Sequence, residues 1–252
     1  MMNLIRADFY RISKGWVVYM PFAALLLLHV FLIAISSIQE NVPTDASGLL
    51  YLEQVSLSFT QLFFLFGVIP FVFCVSVPSF SDGTMKNDIA WGMSRTRLYV
   101  SKLLVLMMLA MLLYVFYIGS GLAMATVLYG FGDVAAGSWV NLLQAMGAQM
   151  VAVLAVCSVM MFLSFLLKKP YVLTEVLFGI LLIPVVINMI ANLFNIDLSW
   201  ILYFDLMSTI ERFAFVSLLD GRTILIGFGV VAVWFTATLV AGIAMLRKAE
   251  IK

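Results

Sequence analysis

Six apolar runs, each long enough to cross a bilayer and nearly free of charge, decide what this chain can fold into. They are Trp16–Ser36, Phe59–Val77, Leu103–Tyr129, Leu142–Leu167, Val172–Leu193 and Thr223–Leu246. A hydrocarbon core of about 30 Å takes about 20 helical residues. Inside lipid every backbone N–H and C=O needs a partner within the protein, so runs of this length read as helices. Only 11% of the 252 residues are charged, against about a quarter in a soluble domain. The chain is expected to be one all-α integral membrane domain over residues 1–252. A formal net charge of +1 argues against a nucleic-acid partner. Cys74 and Cys157 lie inside apolar runs and read as small core residues. The first run outlasts the ~15 apolar residues of a signal peptide and lacks a small-residue cleavage pattern, so it is expected to remain as a span.

Lysine and arginine fix the expected orientation. Arg6, Arg11, Lys14, Lys86, Arg95, Arg97, Lys102, Lys168, Lys169, Arg247, Lys248 and Lys252 fall on one side of the six crossings, and only Arg212 and Arg222 on the other. Both termini are therefore expected in the cytoplasm. Glu40, Asp45, Glu53, Asp133, Asp197, Asp205, Glu211 and Asp220 fall in the outer loops, which leaves no acid in the middle of a span.

Between the runs, three segments have structure of their own. Ile5, Phe9, Ile12 and Trp16 recur at helical spacing among Arg6, Asp8, Arg11 and Lys14, which predicts a basic amphipathic helix on the membrane surface. Leu198–Met207 is too short to span and, with Trp200, Tyr203, Phe204, Phe213 and Phe215 around it, predicts short outer re-entrant helices before the last span. Asp82 to Lys102 places six charges in a polar stretch on the basic side. There Asp82 can cap a turn beginning Gly83-Thr84-Met85. Met85, Ile89 and Met93 share one face, Lys86 and Trp91 lie off it, and Gly92 can end the helix. Ser94 is placed to cap the next helix, which starts at Arg95 and runs into the third span. Three apolar anchors on a short helix suit docking in a partner's groove; the alternative is a solvated loop.

The pattern Asp82-Gly83-Thr84, then Ser94-Arg95, Tyr99 and Lys102, resembles the permeases of ABC-2-type exporters. The six-span layout, amphipathic start and re-entrant helices match across the whole chain, and the motif matches over Asp82–Lys102. Asp82 stands where members more often carry Glu. The resemblance implies that Asp82, Gly83, Thr84, Met85, Lys86, Ile89, Trp91, Met93 and Arg95 form a coupling helix moved by a separate cytoplasmic ATPase, present in two copies. It also implies a second permease, identical or homologous, and a bacterial plasma membrane. The cargo it suggests is hydrophobic or amphipathic, such as a bacteriocin- or lantibiotic-like peptide. The chain has no Gly-x-x-x-x-Gly-Lys-Ser/Thr of its own, so ATP and Mg belong on the partner. The competing class is a secondary transporter or channel, which would want mid-span acids. A membrane enzyme lacks any catalytic cluster.

Four polar residues within or near the spans are candidates for a pathway or seam: His29, Glu175, Asn188 and Asn192. His29, the single histidine, reads as a neutral imidazole bonded to a neighbouring helix or as a site. Glu175 can pair with Lys168 or Lys169 at the inner interface. Asn188 and Asn192, one turn apart beyond Pro184, can line a seam or lock helix to helix.

Overall fold

The computed structural model describes residues 2–38, 48–52, 60–81, 89, 92–131, 138–194, 196, 198–215 and 219–248. The long elements are helices α1 (Met2–Lys14), α2 (Met20–Ile38), α6 (Arg95–Tyr129), α7 (Ser138–Leu167), α8 (Pro170–Phe194) and α11 (Gly221–Lys248). Short helices fill in between: α3 (Gly48–Tyr51), α4 (Thr60–Phe63), α5 (Ile69–Ser81), α9 (Ser199–Leu202) and α10 (Leu206–Phe213). Among the described residues, five helical stretches are long and apolar enough to cross a membrane: Trp16–Ile35, Arg95–Tyr129, Val140–Leu167, Tyr171–Phe194 and Gly221–Arg247.

The run expected at Phe59–Val77 differs. It is helical from Thr60 to Ser81, but a π-helical turn, Phe64–Val68, divides α4 from α5. By length it then contributes only the shorter apolar stretch Phe64–Ser76. Pro70 supplies the reason, because its ring clashes with the carbonyl four residues back and it has no N–H to offer there. Widening the preceding turn relieves both. Gly67 sits in that turn where a Cβ would meet Leu113 Cδ2 at 2.6 Å, so the widened turn lies directly against α6.

α6 is the axis of the bundle. Leu98, Tyr99, Leu106, Ala110, Leu113, Tyr114 and Tyr117 are all fully buried along it, and helices α1, α2, α3, α5, α7 and α11 pack around it. α8 and α11 lie at the margin, with 17% of each apolar window buried. α8 meets the bundle through Leu173, Leu177, Leu181 and Pro184, and no residue beyond Pro184 is buried.

The amphipathic helix ends at Lys14, two residues short of the end of its apolar stripe at Trp16. Gly15 closes it with a bond from its N–H to the Ile12 carbonyl, 3.0 Å, and Trp16 passes into a short 3-10 turn with its ring 71% exposed. Ile5, Phe9 and Ile12 do pack on the core. Asp8, expected among the polar residues facing away, is buried instead.

Candidate functional site

The end of α11, the last part of α7 and the middle of α1 meet where α6 begins, and the residues singled out by motif fasten them together. Gly92 N–H donates to the Ile89 carbonyl at 2.9 Å, and Gly92 takes φ +84, the left-handed conformation that glycine adopts without a side-chain clash. Ser94 is extended and its Oγ accepts from Arg97 N–H at 3.4 Å, which caps α6 as its sequence predicts. Arg95 Nη1 donates to the carbonyls of Leu246 and Arg247 at 3.3 and 3.2 Å. These are carbonyls of the last turn of α11, which an isolated helix leaves unpaired. Arg247 Nε returns a bond to Thr96 Oγ1 at 3.3 Å. One turn further along, the buried Tyr99 ring stands edge-on to Phe165 near the end of α7, with centroids 5.3 Å apart. Its hydroxyl lies against Gly242 of α11, where any Cβ would strike the phenol.

Lys102 completes the knot. Its ammonium, 3% exposed, donates to Asp8 Oδ1 at 2.7 Å, and Arg11 Nη2 approaches the same oxygen at 3.3 Å. A buried pair of this kind holds register more than it adds net stability, because desolvation offsets most of the attraction. It does fix α1 to α6. Asp8 is the member that sequence reasoning missed, and its signal was an acid on an otherwise basic surface helix. Of the coupling residues expected from sequence, Ile89, Met93 and Arg95 are described. Asp82, Gly83, Thr84, Met85, Lys86 and Trp91 lie outside the described residues. Ile89 is half-buried and packs on the bundle's own core, so it anchors the segment inward and is not free to dock outward.

The Tyr99 hydroxyl is buried without a hydrogen-bond partner among the described residues. An unmade buried hydrogen bond is a liability, so Tyr99→Phe is expected to leave the thermal unfolding midpoint in detergent unchanged or slightly raised. Gly242→Ala, which drives a methyl into the same ring, is expected to lower stability by about 1–3 kcal/mol. The double variant should recover part of that loss.

The expected polar seam does not assemble. His29 is fully buried, with Nε2 2.9 Å from the Tyr117 carbonyl, Nδ1 3.3 Å from the Tyr51 hydroxyl and its ring stacked on Tyr117. Asn188, Asn192 and Glu175 are exposed on α8. The asparagines prolong the buried stripe past Pro184, where α8 has already parted from the bundle, and so lock nothing among the described residues. Glu175 forms no ion pair with Lys168 or Lys169 among the described residues. Roughly two helical turns, about 10 Å, separate them.

A second polar constellation links α6, α7 and α10. Tyr114 O–H donates to Gln149 Oε1 at 2.9 Å, and Gln149 Nε2 donates to the Ile210 carbonyl at 3.0 Å. These bonds hold α10 inside the bundle, where Leu206–Ile210 and Phe213 are buried. Asp205 caps α10 by accepting from Ser208 N–H at 2.7 Å. Trp234 Nε1 donates to the Phe204 carbonyl at 2.9 Å, while Phe213 at the other end of α10 packs on Phe228, nearer the start of α11. The segment therefore dips in toward Trp234 and returns. Trp234 stands at the midpoint of the 28-residue α11, about 20 Å from either end. Asp205, expected in an outer loop, lies next to this point, level with the middle of α11. Beside it lies a cavity of about 310 Å³ lined by residues of α7, α8, α10 and α11. Among the described residues no group of three or more His, Cys, Asp or Glu is arranged to hold a metal.

These features define an all-α protein built around helices long and apolar enough to be embedded in a membrane, with the short helix α10 buried inside the bundle. The chain belongs to the family described as "Protein of unknown function (DUF2705)", whose profile matches residues 29–251. No curated protein matches it.

Proposed function

We propose that this chain is the permease subunit of an ABC-2-type exporter, with six spans, both termini and the Ser94–Lys102 knot on the cytoplasmic side of a bacterial plasma membrane. Twelve of the 14 basic residues on one side of that layout support the orientation. Counting Thr60–Ser81 as the sixth span adds a helical path of about 30 Å, enough for the hydrocarbon core. The observation that carries the reading is the knot itself. The segment before Gly92 leads into a junction where Ser94, Arg95, Tyr99 and Lys102 tie together α1, α6, α7 and α11. A push on that segment moves four helices as one body, which is what an ATPase acting from the cytoplasm requires.

In this reading two ATPase copies bring ATP and Mg, and a second permease, identical or homologous, completes the pathway. The cargo is hydrophobic or amphipathic, a peptide antibiotic being the leading case. The test is affinity purification from native membranes in mild detergent. A P-loop protein should co-purify in near-stoichiometric amount, and reproducible recovery of the chain alone overturns the proposal. Asp205 favours a second reading, a transporter that works without an ATPase. An acid at mid-depth on a broken helical element is the kind of site such transporters use to couple protons or ions. Recovery without a P-loop protein, together with transport driven by a proton gradient, would select it.

A further inference from the structure

We propose that the cavity beside Asp205 binds a lipophilic cation, with the Asp205 carboxylate facing the positive charge and the apolar walls of α7, α8 and α11 taking the hydrophobic body. The volume of about 310 Å³ falls at the lower end of the roughly 300–1,000 Å³ typical of small-ligand sites. Met160, Leu177 and Ile180 supply apolar wall, and Trp234 and Thr238 line the side toward α11. The hydrogen-bonding groups of those two are already engaged, Trp234 Nε1 with Phe204 and Thr238 Oγ1 with Ser158 and the Trp234 carbonyl.

Asp205 is the charged residue of this lining. One of its oxygens holds the Ser208 N–H, and it forms no ion pair among the described residues. Arg212 attracts it from a distance. That guanidinium is committed elsewhere, donating to the Ser208 and Leu202 carbonyls and lying 4.4 Å over the Tyr203 ring. With Glu211 counted, the segment around α10 keeps one net negative charge. An acid held at the middle of a membrane bundle is costly unless something positive meets it. An apolar chamber with one net negative charge at its edge selects for positive charge on a hydrophobic ligand and against the same shape carrying negative charge. That this ligand is the transported cargo rests on the export reading; its binding does not.

The site is tested on the purified chain in detergent with no ATPase present, so failure here leaves the export reading standing, and the reverse. Radiolabelled tetraphenylphosphonium should bind saturably at one site per chain. Asp205→Asn keeps the helix cap, since Asn caps as well as Asp, but removes the charge. It should weaken binding by about tenfold or more with the thermal midpoint unchanged. Ile180→Trp, which fills the chamber, should abolish binding. Tetraphenylborate, of similar shape and opposite charge, should not compete. The proposal is overturned by absent saturable binding to the wild-type chain, by unchanged affinity in Asp205→Asn, or by equal competition from tetraphenylborate.

Discussion

Replacing Lys102 with Met is expected to lower the stability of the bundle by about 3 kcal/mol, the lower end of the range for removing one partner of a buried ion pair. The single variant leaves Asp8 with its carboxylate buried and with Arg11, at 3.3 Å and partly exposed, as its remaining cation. Arg11 sits on the same helix, so it can soften the loss of charge but cannot tie α1 to α6. Two readouts follow. The thermal midpoint in detergent should fall, and α1 should become accessible to protease while the rest of the chain stays protected. Adding Asp8→Asn removes the stranded charge, so the double variant should be more stable than the sum of the singles. A coupling of roughly 0.5–3 kcal/mol is the expected size for groups in direct contact. If Lys102→Met is silent and the two substitutions are additive, the pair is not what holds the N-terminal helix.

That pair also marks where sequence reasoning stops. The spans were legible because a run such as Leu103–Tyr129 has one way to satisfy its backbone in lipid. The start of α6 was legible because capping is local: Gly92 and Ser94 act on atoms a few residues away. Asp8 and Lys102 are 94 residues apart, and no periodicity relates them; only the packing of α1 across the base of α6 does. The position of Asp205 beside the middle of α11 was illegible for a similar reason. Hydropathy marks a stretch too short to cross and suggests re-entrant helices, but it cannot say how far in they reach; Gln149 and Trp234, on two different long helices, bond to the Ile210 and Phe204 carbonyls and set that depth. The widened turn at Phe64–Val68 had a visible cause in Pro70, but composition alone could not say whether the helix would bend, break or widen. The exposure of Asn188 and Asn192 depends on where α8 leaves the bundle, which is a property of its neighbours.

Introducing Asp at both Met85 and Met93 is expected to reduce the co-purified ATPase to background while membrane insertion and thermal stability stay unchanged. The choice of these two follows from Ile89. Its contact with the core means that Ile89→Asp would damage the bundle directly and lose the ATPase for an uninformative reason. Met85 and Met93 stand four positions before and after it in the sequence, and Met93 lies in non-helical backbone just beyond Gly92, half-exposed. With Ile89 packed on the core, the two methionines are the remaining apolar groups of the expected docking set. Burying an unpaired carboxylate in an apolar interface costs at least as much as losing a central hydrophobic anchor, about 2 kcal/mol or more per site. Two such sites weaken association by roughly a thousandfold, which empties a pull-down. Ile89→Asp serves as the contrast, because it should lower the thermal midpoint where the methionine pair does not. Retention of the ATPase by a folded Met85→Asp, Met93→Asp chain would mean that force enters the knot by another route, and the segment before Gly92 would revert to a solvated loop.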